Sequence, residues 1–595
     1  MNNLSKLFFG FSAAAMMFSC SSDEPANNAG GNNDGDAVYM NIRIKDANSS
    51  SFGKGSDGGY EYGDANEHKI ADARFFFYDG NGNFLVEAGI NDLGGNNGTT
   101  GNVEYISESA IVLQGLKEDE LPEYMITVLN APASFTPGVT MEQTASKVSA
   151  LTDEAGNFVM STSSFFGGDT KNYSDTYYYA NRLQASDFHK TKEDAVAGDN
   201  PVEVYVERLA AKFSVSGIDE GYNEVKVTVA GNVNGDIEDG DFSGPQAGTK
   251  LYVKFDKWGV SHTEKASYMS KNLTADKAFW SFGANNTTIA GWDWNNAGDF
   301  RSHWGASCSY GNANPDLNVL TYATCEASVT QPVYAAETTN TKDNVSINGT
   351  VNINNVTCVL LTATVYTKDE NGAYNPLDLV LYRGIYYTEE QFKMYLLQIV
   401  NNKTPLNYYI CENPDAPSTE TKKYHQVSAD DVVLYHPQGS TTASVEVKFA
   451  ADDATLYAQA IVDGKESYSV IDGGVDKLNG DLKSFFGNGN VQNTAIGYKG
   501  GKMFYTVPVE HLLKKSAEAV AYAVENEANY GTVRNHWYKI NVNSVAKLGH
   551  GIFVPGEGEE PGEPLIPENP NDDRFNLGAQ INVLSWKVVN QNVDL

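Results

Sequence analysis

From residue 37 the chain alternates apolar and polar positions with the period of two that a half-buried strand requires. In AVYMNIRI, Val38, Met40, Ile42 and Ile44 fall on one side and Tyr39, Asn41 and Arg43 on the other. The next apolar run, ARFFFYDGNGNFL, carries the turn residues Asp79, Gly80, Asn81 and Gly82 and predicts a hairpin. Between the two runs lies DANSSSFGKGSDGGYEYGDAN, rich in Ser, Gly and Asp and without any period, so the first strand sits on a long, loose loop.

Further strands are predicted at Tyr124 to Leu129, Val202 to Val206, Lys212 to Val215, Val225 to Val229, Leu251 to Phe255 and Thr357 to Tyr366. Helical spacing is rare. In TEEQFKMYLLQIV, Thr388 and Gln391 form a capping box and Phe392, Tyr395, Leu396 and Ile399 line one face; a second helix is expected over Glu510 to Val524. Short strands and polar loops elsewhere predict a mainly β chain of two tandem antiparallel β-sandwich domains. The junction is placed at PVEVYVERLAAKF, from Pro201 to Phe213.

Near the end, Tyr538, Ile540, Val542 and Val545 read as a closing strand, followed by the Pro/Glu/Gly run Pro555 to Pro570 and then by QINVLSWKVV. A strand is thus appended after the domain that precedes it has ended. The resulting divisions are 1–20, 21–36, an N-terminal domain over 37–208, a C-terminal domain over 209–555, and a tether and strand over 556–595.

The length of 595 residues exceeds what one core fills, and 41% hydrophobic with 11% aromatic residues marks a globular chain. A formal charge of -34 repels nucleic acid phosphates and anionic lipid surfaces, so nucleic acid is not an expected partner. The opening MNNLSKLFFGFSAAAMMFSC has Lys6, an apolar run from Leu7 to Phe18 too short to span a bilayer, then Ser19 and Cys20, as a secretory signal does. A small residue directly before Cys20 resembles a bacterial lipobox, which makes Cys20 the expected lipidation site. The following SSDEPANNAGGNNDGD is too polar to fold and serves as a tether.

No catalytic site, metal site or cofactor is expected. The nine histidines show no helical pair flanking a glutamate, and there is no G-x-S-x-G elbow, phosphate loop or dinucleotide fingerprint. Cys308, Cys325, Cys358 and Cys411 match no zinc or redox spacing; export permits disulfides, and small buried hydrophobes are an equal reading. The acidic loop of Asp236, Glu238, Asp239 and Asp241 lacks the spacing of a calcium loop and reads as a solvated turn. Trp280, Trp292, Trp294 and Trp304 form an aromatic cluster that core packing explains better than a sugar platform.

Several of these stretches occur in the order found in the fimbrillins of the short, or minor, fimbriae of Gram-negative anaerobes, the type V pilins, which the mature chain resembles. They are the lipobox at Cys20, the strand from Val38 to Ile44, HKIADARFFFYDGNGN, VYVERLAAKFSV, FRSHWGAS, NYGTVRNHWYKINVNSVAKLGHGIFVP and VLSWKVVNQNVDL. The pattern of Arg534, Asn535, Tyr538 and Gly549 is the most specific of them.

The resemblance implies transthyretin-like sandwiches with an appended C-terminal donor strand. It implies a lipoprotein precursor at the outer membrane and cell surface, whose first strand is released by a trypsin-like protease. The opened groove then takes the C-terminal strand of another copy, and accessory tip or anchor fimbrial proteins and host or bacterial surface receptors are the other implied partners. On this reading Val38, Met40, Ile42 and Ile44 belong to the removable strand and Ile581, Val583, Leu584, Trp586 and Val588 to the donor strand. Lys45 and Lys54 are the candidate cleavage sites, a departure from relatives cut after arginine. Burial of each apolar residue in the groove contributes ~1.5–3 kcal/mol, and an emptied groove exposes unpaired backbone groups. The rival readings are a monomeric surface lipoprotein that binds glycans through the tryptophan cluster and an exported hydrolase, for which no catalytic constellation is visible; for the tail alone the rival is a last strand that packs on its own domain, which apolar alternation does not distinguish from donation.

Overall fold

The computed structural model describes residues 38–584 apart from 47–62, 92–105, 115, 117–119, 164–178, 198–200, 218–220, 226–249, 273–287, 290–291, 294–304, 311, 313–314, 340–345, 348–349, 352–356, 404–406, 438–442, 487–493, 510–530, 546 and 554–577. The expectations for Cys20, Lys54, the acidic loop, the helix from Glu510 to Val524, Trp280, Trp294, Trp304, Trp586 and Val588 lie outside the described residues.

The chain is mainly β. Its first sheet is built from β1 (Val38–Asp46), β2 (Asp72–Tyr78), β3 (Phe84–Asn91), β4 (Ile106–Leu113) and β5 (Tyr124–Leu129), with the later strands Met160–Thr162 and Val202–Arg208. The order across it is β3, β2, β5, Met160–Thr162, Val202–Arg208, β1, β4. The FFFY run of β2 supplies two cores at once because its side chains alternate. Phe75 and Phe77 enter a cluster with Met40, Ile42, Ile111, Met125 and Val204. Phe76 and Tyr78 face the other way, under the short helix Met141–Ala145, with Ile126 and Val128. The β2–β3 hairpin closes as its sequence requires: the Asp79 carboxylate accepts from the backbone N–H groups of Asn81 and Asn83, and Gly82 takes the left-handed conformation at φ 80°.

One residue, Leu209, separates the first sheet from the second. Val202–Arg208 ends in the first, and Ala210–Ser216 runs between Val333–Ala336 and Trp537–Ser544 in the next. Opposite it lies a six-stranded sheet with the long strands Leu251–Ser261, Cys358–Lys368 and Lys502–Pro508 at its centre. Between these sheets sit Phe213, Trp258, Leu361, Tyr505, Tyr538 and Ile540. The strand expected at Leu251 to Phe255 runs on to Ser261, across a bulge between Phe255 and Lys257. At the one expected from Val225 to Val229, the described part is the two-residue strand Asn223–Glu224 and the buried Val225.

The span expected as one C-terminal domain, 209–555, holds a further core. Cys358–Lys368 and Lys502–Pro508 pair directly with each other, yet the chain between them builds its own five-stranded and four-stranded sheets. Val380, Tyr387, Leu396, Tyr408, Val447 and Leu478 form the core of this insert, together with helices Glu389–Lys403 and Gly474–Lys483. The first of those helices starts as its sequence dictates: Thr388 Oγ1 accepts from Gln391 N at 3.2 Å, and Gln391 Oε1 accepts from Thr388 N at 3.1 Å. Phe392, Tyr395 and Leu396 are buried and Ile399 packs against the same core.

Candidate functional site

β1 lies inside its sheet, with a ladder on each side. It pairs antiparallel with β4 from Val38 opposite Leu113 to Lys45 opposite Ile106, and parallel with Val202–Arg208 from Ile42 opposite Val202 to Asp46 opposite Val206. Ahead of that parallel ladder, Tyr39 exchanges two backbone hydrogen bonds of 2.7 Å with His189. Met40 and Ile42 are fully buried and Val38 packs at the edge of the same cluster. Ile44 and Lys45 are placed by their backbone pairing, each between two strands. On the outer face Arg43 bridges both neighbours, with Nε on Glu108 and Nη1 3.4 Å from Glu203. Any loss of β1 would therefore open a slot with two hydrogen-bonding rims and an apolar floor.

The appended strand is seen as Gly578–Leu584. It lies antiparallel along Trp537–Ser544 of its own chain, with Ile581 opposite Ile540, Val583 opposite Tyr538 and Leu584 opposite Trp537. Among the described residues it is the edge of that sheet and has one neighbouring strand, whereas β1 has two.

Between groove and tail runs a buried polar seam that joins the domains. Glu67, just before β2, receives Lys212 Nζ at 2.6 Å and the Tyr334 hydroxyl; burial first, then Glu67, raises that phenol's pKa. Arg208 donates to the Glu67 carbonyl at 2.7 Å and to Asn535 Oδ1 at 2.9 Å. Lys212 also lies over the Trp537 ring, 3.9 Å from its centroid. Arg534 reaches Glu337 at 3.1 Å and the carbonyls of Tyr268 and Met269 at 3.0 and 3.3 Å.

This seam gives physical meaning to the most specific sequence pattern. Asn535 stands at φ 56°, which turns its backbone N–H onto Ala210 O and its side chain onto Arg208. Tyr538 stacks on Phe213 with centroids 4.9 Å apart, and its hydroxyl accepts from Val533 N at 2.9 Å. Gly549 is needed for room, because a Cβ there would stand 2.4 Å from Phe504 O. Sequence reading missed Glu67, Arg208, Lys212 and Glu337; Arg208 and Lys212 are set within the apolar run VYVERLAAKF, whereas nothing beside Glu67 or Glu337 marks them.

The four described cysteines are all thiols. Cys325 and Cys358 share a small apolar cluster with Leu360, Phe504 and Ile552. Trp292 takes part in a two-strand pairing, Trp292–Asp293 with Thr288–Ile289. Among the described residues no group of three His, Cys, Asp or Glu side chains is placed to hold a metal ion, and no helix is long and apolar enough to cross a membrane.

The chain is of the mainly β class, with β1 inside its sheet and Gly578–Leu584 at the edge of another. More particularly, residues 497–592, which span Lys502–Pro508, the Arg534 pattern and the last strand, match the family of the type IV major fimbrial subunit protein, fimbrillin, C-terminal region. No curated protein matches the chain.

Similar solved structures include a candidate cell adhesion protein from Parabacteroides distasonis, 10% identical, covering 92% of this chain and 96% of its own, with a TM-score of 0.36. A fimbrial assembly protein from the same organism is 13% identical, covering 73% and 100%, with a TM-score of 0.26. A second candidate adhesion protein from that organism is 8% identical, covering 93% and 100%, with a TM-score of 0.29.

Proposed function

We propose that the chain is a structural subunit of a surface fimbrium that supports adhesion and polymerises by strand exchange. It is exported as a lipoprotein anchored in the outer membrane through Cys20, loses β1 to a trypsin-like protease, and receives in the vacated slot the last strand of another copy. Accessory tip or anchor proteins and surface receptors complete the set of partners. The observation that carries the reading is the difference in neighbours: β1 is flanked by strands on both sides, whereas Gly578–Leu584 has one.

A strand that leaves an edge for an interior slot exchanges one ladder for two and buries its apolar face as well, so donation lowers the free energy once the slot is empty. The strand lies along Trp537–Ser544 of its own chain, and the acidic Pro/Gly tether before it supplies the length for it to move from there to another copy. Of the two candidate cut sites we favour Lys54. Lys45 is held in ladders on both sides, and a protease needs an extended, unpaired backbone.

The test is negative-stain electron microscopy of the precursor lacking residues 1–20, before and after limited trypsin treatment, beside a version ending at Pro570. Filaments that require both the cut and the tail support strand exchange. Monodisperse protein in every sample, with β1 shown by mass spectrometry to have left, sinks it.

A further inference from the structure

The four-stranded sheet of the insert has one face in the core and one face outward. Leu456, Ala458 and Ile410 point into the core of the insert. The alternate residues, from the neighbouring strands Tyr408–Cys411, Tyr424–Gln426, Leu456–Val462 and Lys465–Val470, point away from it. On this outward face Tyr424 and Tyr468 stack 4.0 Å apart and nearly parallel, although their strands stand at opposite edges of the sheet. Tyr409 meets Tyr468 edge-on at 5.3 Å, and Tyr457 meets Tyr424 edge-on at 5.0 Å.

A chain of exchangeable polar groups runs beside the rings. The Tyr409 hydroxyl donates to Gln459 Oε1 at 2.8 Å, Gln459 Nε2 donates to the Tyr468 hydroxyl at 3.0 Å, and that hydroxyl donates to Glu466 Oε2 at 3.0 Å. The face is open to solvent. Its tyrosines are half-buried, and two apolar residues that share it, Ile461 and Val470, are 67% and 63% exposed.

We propose that this outward face is a binding platform for neutral carbohydrate. Tyrosine rings offer flat surfaces for the C–H faces of pyranose rings, and a linked series of phenol, amide and carboxylate groups matches a row of sugar hydroxyls, each able to donate or accept. Glu466 at the end of the chain, together with the net charge of -34, disfavours sulfated, phosphorylated or sialylated ligands. The platform belongs to a sheet of the insert that shares no strand with the sheet of β1 or with that of Gly578–Leu584.

The test is an array of immobilised neutral oligosaccharides, terminating in galactose, N-acetylhexosamine, glucose or mannose, with sulfated and sialylated counterparts. It is probed with the chain lacking residues 1–20 and with its Tyr468→Ala, Tyr468→Phe and Glu466→Gln variants. The expected result is binding to at least one neutral class, at least tenfold weaker in Tyr468→Ala at unchanged melting temperature, and weakened in Tyr468→Phe, which keeps the ring but breaks the polar chain. If Tyr468→Ala does not fold, the other two variants carry the test, since each alters one polar group at the surface. No neutral binding, preference for charged glycans, or binding indifferent to the folded variants overturns the proposal. Filament formation by the same preparations is scored separately, so failure of one reading leaves the other standing.

Discussion

Glu67 and Lys212 face each other across the domain junction 2.6 Å apart, with side chains 3% and 4% exposed. Glu67 immediately precedes the first hairpin, and Lys212 sits in the strand that opens the second domain. The pair therefore ties the approach to the first hairpin to the sheet along which Gly578–Leu584 lies.

Breaking such a pair from one side is costly because the remaining charge stays buried. Glu67→Gln is expected to destabilise by about 3–5 kcal/mol, while Glu67→Gln combined with Lys212→Met recovers much of the loss. Calorimetric melting of the single and double variants checks this. A double variant no better than the single one would contradict it.

Acid is expected to weaken the fold through two histidines. Burial lowers the pKa of His262 and of His550 from 6.5 to about 4, which keeps both uncharged in the folded chain. The unfolded chain takes up these protons at higher pH, so their contribution is complete above about pH 6.5 and is lost as the pH falls towards 4. It amounts to roughly 3 kcal/mol per histidine. Melting temperatures measured between pH 7 and 4 should fall, and the fall should be shallower in a His550→Phe variant, where an aromatic ring keeps the edge-on contact with Phe504.

The hold on β1 is expected to reside in its floor. Ile42→Ala, in the fully buried face, should cost about 2–5 kcal/mol. Arg43→Ala removes ion pairs whose side chains are about a third exposed and should cost at most about 1 kcal/mol. Trypsin-dependent release of the first strand, followed by mass spectrometry, should accelerate strongly for Ile42→Ala and little for Arg43→Ala.

The thiols of buried Cys325 and Cys358 and of half-buried Cys308 are expected to be slow to react while the chain is folded. Burial pushes the Cys325 thiol up to about 12 and raises that of Cys358; burial, then Glu264, pushes Cys308 up to about 11. A thiol-reactive chromophore added to protein lacking residues 1–20 should react with these cysteines only on denaturation. Fast reaction at neutral pH of a native Cys411→Ser variant, whose remaining thiols are these three, would contradict their placement.

The first strand, the β2–β3 hairpin and the capped helix were legible because each is a local matter. Alternation, turn residues and a capping box act within a few positions. The insert was not, since its strands are as short as their neighbours and nothing local announces that Cys358–Lys368 and Lys502–Pro508, far apart in the chain, pair across it. The polar seam was hidden for a related reason: the ion pairs of Glu67 with Lys212 and of Glu337 with Arg534 join residues distant in sequence, and each member alone reads as an ordinary surface charge. The last strand shows the limit of periodicity itself. Alternation specifies a half-buried strand without naming the sheet it joins.

The insert leaves and re-enters its host between two strands that already pair with each other, so its length and surface can change while the ladder beneath is kept. The outward sheet is thus free to vary residue by residue while the spacing of the host strands stays fixed.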